Sequence, residues 1–289
     1  TYSIVNSTYG QVVNKAQISR NSRDLVELLI RDIRMAGFKY YLGTNSLNYP
    51  EETYLQILDT SRIEDSHAPI VIQEGLDHVS FVETGTPHVT KDTKNNPLDI
   101  CCDKIHIVFD DFDQTDPLQP YKRYKTTYYA RPTDDGTDAQ GASINPRYAI
   151  YKSKISWSQP RASETGSWPA TGEWIGQQQG CQECYHEQLI RDYVEDIEFI
   201  ALDRNGKRLL PLPDPTTVAG RNNLYKIRSV DIKLSFRSEK DFFRLETRDG
   251  QPRKVLGFSR TKEDYNDRYL RDSVVVTVYT RNIVDEGLF

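Results

Sequence analysis

Asn21-Ser22-Arg23-Asp24-Leu25-Val26-Glu27-Leu28-Leu29-Ile30-Arg31-Asp32-Ile33-Arg34-Met35-Ala36-Gly37-Phe38 is the stretch on which the fold turns. Leu25, Leu28, Leu29, Ile33 and Ala36 recur at the i, i+3, i+4 spacing of a helix with one apolar face, and Glu27 and Arg31 stand i, i+4 on its wet side. Upstream, Val5, Tyr9, Val12, Val13 and Ala16 continue the period without a proline, so the reading is one helix over Thr1–Ala36, about nine to ten turns at 3.6 residues each. Gly37 is placed to stop it. Asn21-Ser22 could instead cap a second helix starting near Arg23.

Past Gly37 the period changes to short runs in which β-branched and aromatic residues alternate with polar ones, separated by Gly, Pro, Asn and Asp. These runs predict strands around Ile70–Gln73, His78–Glu83, Lys104–Asp110, Lys122–Ala130, Tyr148–Ile155, Ile197–Leu202, Tyr225–Arg237 and Ser273–Arg281. Asn205-Gly206 predicts a tight two-residue hairpin between Ile197–Leu202 and Lys207–Leu210, because both residue types accept positive φ. Pro132–Pro146 and Ser156–Gly180 read as long polar loops, the second carrying Trp157, Trp168 and Trp174. The fold class is therefore α+β: an N-terminal helix over residues 1–37 packed on an antiparallel β head over 38–289, in two sheets or lobes. Leu25, Leu29, Ile33 and Ala36 are the expected helix-to-head packing.

A chain of 289 residues with 37% hydrophobic and 11% aromatic residues can bury a core, which excludes wholesale disorder. Its 42 acidic and 37 basic residues are interspersed and sum to a charge of −5, without the basic stripe a phosphate backbone needs, so nucleic acid is not an expected partner. No run approaches the roughly 18 apolar residues of a membrane span. A nucleophile elbow, a zinc-protease helix motif and a phosphate-binding glycine loop are all missing, and His67, His78, His88, His106 and His186 are scattered; the chain is not read as an enzyme. His106, between Ile105 and Ile107, reads as an exposed strand residue.

The run Arg31 to Phe38 resembles the close of the first helix in PilW-type minor pilins, where the pattern is Arg-Asp-Leu/Ile-Arg-x-Ala-Gly-Phe/Tyr. Val230–Ser238 resembles that family's strand ending in Arg-Ser, and Arg268–Asn282 its closing strand ending in Arg-Asn; Tyr193–Phe199 adds a weaker match. The likeness extends more distantly to J-type minor pseudopilins of type II secretion. It implies a long helix presented to a filament, a structural role in starting type IV pilus assembly near the tip, and other minor pilins and the major pilin as partners. It also implies a place in the inner membrane and periplasm before assembly and on the surface pilus afterwards. The family's apolar membrane-inserting segment would precede Thr1 and is the expected link to the inner membrane. An adhesive tip module, in which Trp157, Trp168 and Trp174 stack on a glycan, is the alternative from the binding class.

A periplasmic chain is expected to oxidise its cysteines, and the even count, Cys101-Cys102 and Cys181-x-x-Cys184, allows three full pairings. Adjacent cysteines are awkward to join and point to opposite faces of a strand, which favours at least one long-range bond. Zinc held by Cys181, Cys184, His186 and Cys102 is the competing reading. No cofactor is expected; calcium is the one candidate, since Asp111, Asp113 and Asp116, beside Asp110, offer hard oxygen ligands, as do Asp134, Asp135 and Asp138, but a solvated acidic turn is the simpler reading of both groups.

Overall fold

The computed structural model describes residues 2–39, 67–73, 101–112, 121–136, 147–158, 172–210, 212–213, 217–240, 253–256, 261–265 and 268–283. Helix α1 runs unbroken over Tyr2–Met35, so Asn21-Ser22 caps no second helix; Ser22 is buried instead. The last turns carry the packing. Leu25, Leu29, Ile33 and Ala36 are each 1% exposed or less, and fully burying such a Leu or Ile contributes about 1.5–3 kcal/mol, enough to seat the helix. Ahead of Ser22, every described side chain, Tyr9, Val12, Val13, Lys15, Ala16 and Arg20, is exposed. No helix among the described residues is long and apolar enough to cross a membrane.

The strands are β1 (Ile70–Gln73), β2 (Lys104–Phe112), β3 (Tyr121–Thr133), β4 (Arg147–Ser158), β5 (Glu173–Ile175), β6 (Tyr185–Leu202), β7 (Ser229–Arg237), β8 (Arg253–Leu256), β9 (Thr261–Tyr265) and β10 (Arg271–Tyr279). A short helix, α2 (Val218–Leu224), leads into β7, with the Thr217 side chain accepting from the Gly220 amide at its N-cap. One antiparallel sheet takes the order β1-β2-β3-β4-β6-β7-β10, with β5 on β4, while β8 and β9 form a separate two-stranded sheet. The expected strand at His78–Glu83 lies outside the described residues. Around Asn205-Gly206 the chain does turn, with Gly206 at φ 74°, but Asp203 holds the loop by accepting from the Asn205 and Lys207 amides. The return makes only an isolated bridge, Leu202 to Arg208, in place of a strand over Lys207–Leu210.

Period-2 alternation sorts the side chains. On β6 and β7, Ile197, Phe199 and Ala201 stand opposite Leu234, Ile232 and Val230, and all six join the helix stripe in one core with Ile105, Ile107, Phe109 and Val278. Strand β6 changes neighbour along its length. Its first half pairs with β4 and its second with β7, and the β4 ladder slips register between Tyr148↔Val194 and Ile150↔Arg191. Tyr193 at that slip has φ 60°, rare for a residue with a Cβ; Asp192 accepts from its amide, and Arg147 grips the Asp192 carboxylate with two bonds of 2.8 Å while lying over the Tyr193 ring. This bulge bends the sheet. Beyond the start of β4, the segment before β2 fills the vacant flank of β6: Asp103 donates its amide to Ile197 O and accepts from Phe199 N, each at 2.8 Å.

At the helix end, Gly37 has φ 74° and donates to Val108 O at 2.8 Å, and a Cβ there would stand 3.2–3.3 Å from Asn282, Ile283 and Pro69. Leu29→Ala is expected to lower the unfolding free energy by about 2–5 kcal/mol in denaturant titration, as a buried cavity does, whereas Val13→Ala on the exposed turns stays within about 0.5 kcal/mol of the parent.

Candidate functional site

The seam between α1 and the sheet holds a charge. Asp32, one residue before Ile33 in the buried stripe, is 4% exposed. An isolated carboxylate in such a place would cost several kcal/mol, so its partners decide whether the seam can close. Lys152 Nζ lies 2.7 Å from Asp32 Oδ2, and the Tyr128 hydroxyl donates to the same oxygen at 2.7 Å. Tyr128 and Lys152 are direct cross-strand neighbours on β3 and β4, so two side chains on the inner face of the sheet converge on one helical oxygen. Arg31 Nε, on the wet side, donates to Oδ1 at 3.0 Å. Burial pushes the Tyr128 phenol far up, with the Asp32 charge adding to it, and pushes Tyr185 up to about 12 for the same two reasons. Burial also holds the Lys152 ammonium below the usual lysine range, against the pull of Asp32.

A second clamp closes the same helix end. Asn282, just past β10, donates its side-chain amide to Arg34 O at 2.8 Å, satisfying one of the carbonyls a helix terminus leaves open. Glu195 of β6 gathers Arg271 at 3.2 Å and Arg237 at 3.8 Å, while Ser238 exchanges two bonds with the Leu270 backbone, its hydroxyl accepting and its amide donating. Asp32, Asn282, Glu195 and Ser238 thus tie α1, β3, β4, β6, β7 and β10 together.

No known family model matches the chain, and no curated protein does. Among solved structures it is similar to a type IV-like pilin from Thermus thermophilus, at 12% identity over 64% of this chain and 81% of that one, with a TM-score of 0.31.

The cysteines correct an expectation. Cys101 bonds to its neighbour Cys102 and Cys181 to Cys184, so the long-range bond favoured from the sequence does not form. Cys101 and Cys102 do not alternate across a strand, because they precede β2, which begins at Lys104. With all four sulfurs paired, the zinc set of Cys181, Cys184, His186 and Cys102 has no thiolate to offer. Cys101, Cys102 and Asp196 are the one group of ligand-type side chains gathered among the described residues, and its two sulfurs are bonded to each other.

Of the acidic candidates, Asp111 accepts from the Phe112 amide, and Asp113, Asp116 and Asp138 lie outside the described residues. Asp110 is fully buried against Arg123 at 2.6 Å, Asp134 accepts from Gly136 N, and Asp135 binds Arg147 at 2.7 Å. Trp157 is 7% exposed, edge-on to both Trp174 (5.3 Å) and His67 (4.4 Å), while Lys125 stands over Trp174; Trp168 lies outside the described residues. The indole pair packs on β4 and β5 instead of standing free. His106 is not exposed either: it is 7% exposed with Nδ1 2.8 Å from Thr127 Oγ1, and burial, helped by Lys104 and Lys125, lowers its pKa well below the ordinary 6.5.

Sequence reasoning passed over Asp32, Tyr128, Lys152, Glu195 and Asn282 as site residues. A signal existed for one of them, since Asp32 interrupts the apolar face of the helix, four residues after Leu28 and one before Ile33.

Asp32→Asn and Lys152→Met singly are each expected to cost about 3–5 kcal/mol, and the double variant less than their sum, giving a favourable coupling in a double-mutant cycle. Stability should also fall at both pH extremes. Unfolding lets His106 take up a proton the folded chain refuses, so its share is lost as pH falls below 6.5, at up to about 1.4 kcal/mol per pH unit. Tyr185, raised from 10.0 to about 12, contributes fully below pH 10 and loses that contribution as pH rises from 10 to about 12. Denaturant midpoints against pH check both limbs; His106→Gln should flatten the acid one and Tyr185→Phe the alkaline one.

Proposed function

We propose that this chain is a non-enzymatic structural subunit of a type IV pilus, a minor pilin that joins other minor pilins in starting assembly near the tip. One observation carries the reading: α1 is a single helix of 34 residues whose last turns are locked to the sheet while Tyr9, Val12, Val13 and Ala16, all but Lys15 of the side chains described in its first half, present apolar surface to solvent. A helix serving only its own head would end where its packing ends. At 1.5 Å per residue the roughly 30 Å ahead of Ser22 has the reach to enter a bundle of like helices. The residues behind the resemblance to PilW-type minor pilins support the same reading, since Asp32, Arg237, Ser238 and Asn282 are the side chains that fasten helix, β7 and β10.

On this reading the major pilin is a further partner, the inner membrane and periplasm hold the subunit before assembly, the cell-surface pilus holds it afterwards, and no cofactor is required. A minor pseudopilin of type II secretion would use the helix in the same way and differs only in its partners. The adhesive reading has less to stand on, since Trp157 is buried.

Mixed with the minor pilins encoded beside its gene, the chain is expected to give a defined complex by light scattering. Val12→Asp together with Tyr9→Asp, both on exposed turns, should weaken that complex at least about tenfold, near 1.4 kcal/mol, with the head still folded by circular dichroism. Equal complex formation by the folded variant sinks the proposal.

A further inference from the structure

The large sheet ends on two different strands. At one end β1 has four residues, a short edge of the kind proteins use to discourage stray pairing; at the other, β10 has nine and pairs with β7 alone among the described residues. Ser273-Val274-Val275-Val276-Thr277-Val278-Tyr279 contains no charge and no proline; the exposed Asp272 just before it is the charge that borders this edge, and its carboxylate accepts from the Ser273 amide at 2.8 Å. Its outward row is open: Val275 is 58% and Tyr279 69% exposed, and Ser273 and Thr277 are exposed with them.

The same strand is self-complementary. Read from either end, Ser273-Val274-Val275-Val276-Thr277 presents hydroxyl, valine, valine, valine, hydroxyl. Laid antiparallel against a second copy with Val275 on the axis, Val275 meets Val275, Val274 meets Val276, and Ser273 meets Thr277. These are the β-branched and hydroxyl cross-strand pairs that stabilise sheets, and a two-fold axis requires such like-with-like matching. Arg271 stays outside the match, committed to Glu195.

We propose that β10 is a homodimerisation edge, joining two copies of this chain through a continuous antiparallel sheet centred on Val275. The surface is separate from the exposed turns of α1, so the proposal does not depend on the pilus reading.

Symmetry makes the test sharp. All four native cysteines are paired, so an introduced cysteine is the sole free thiol. Under copper-phenanthroline oxidation Val275→Cys should give a disulfide-linked dimer on non-reducing gels. Ser273→Cys alone should not, but mixed with Thr277→Cys it should yield the mixed dimer. In sedimentation, Val275→Lys, an exposed site that leaves the fold intact by circular dichroism, should raise the concentration at which dimer forms by about tenfold or more. A parent chain that stays monomeric at high concentration, or Ser273→Cys linking to itself as readily as Val275→Cys, overturns the proposal. Capture of a different chain on a β10 that forms no homodimer overturns it as well.

Discussion

The bond from Lys152 to Asp32, with Tyr128 on the same oxygen, is the constraint from which the rest of the molecule follows. An apolar stripe is adhesive but not directional: Leu25, Leu29 and Ile33 could bury nearly as much surface with the helix turned or slid along the sheet. A carboxylate in that stripe removes the freedom. It is tolerable only where both a cation and a hydroxyl meet it, and such a place exists because Tyr128 and Lys152 are paired across β3 and β4 on the inner face. Slip β4 by one residue against β3 and Lys152 turns to the outer face, leaving the buried Asp32 without the cation that meets it from the sheet. The register of the sheet and the rotation of the helix are therefore one decision.

The outer strands depend on that seating at one remove. Asn282 reaches Arg34 O only when the helix end lies where Asp32 puts it, and Asn282 stands three residues past the end of β10. Glu195 then draws Arg237 and Arg271 to the far side of the bulge at Tyr193, where β6 has exchanged β4 for β7. Two buried guanidiniums on one carboxylate hold β7 and β10 to β6 in directions an aliphatic contact would leave loose. Polar groups here select among arrangements that the aliphatic core would accept almost equally.

This division explains what could be read from the chain. Periodicity is a property of burial, so the stripe of α1 and the strands β1, β2, β3, β4, β7 and β10 were legible from alternation, although β7 starts at Ser229 and not at Tyr225, while β8 and β9 were not expected. Strand β6 was legible only in its second half: Tyr185-His186-Glu187-Gln188 is half exposed and paired to β4, so no apolar alternation marks it. The three residues of β5 and the short turn of α2 fall below any pattern length. Pairings between distant polar residues leave no periodic trace: Asp32 stands out only as a charge in an apolar stripe, and its partners Lys152 and Tyr128, like Glu195, look like ordinary surface residues until the fold brings them together. His106 misled for a related reason. Alternation shows that a residue faces away from one core, and here the opposite face of β2 is covered as well. Adjacent cysteines misled because the argument against their pairing assumed a strand, and they stand just before one.

The helix itself shows how the buried end serves the bare one. A helix of five or six turns with its apolar residues in water is marginal alone, because the first turn must be ordered before any hydrogen bond repays it. In α1 that nucleus already exists: Leu25 to Ala36 is held in helical form by the core, by Asp32 and by Asn282, so each residue further upstream only propagates. Tyr9, Val12 and Val13 can then be displayed on a regular helix without tertiary packing of their own. The strength of the seam therefore bears on how far a regular helix extends from the head, because the turns ahead of Ser22 have no described packing of their own.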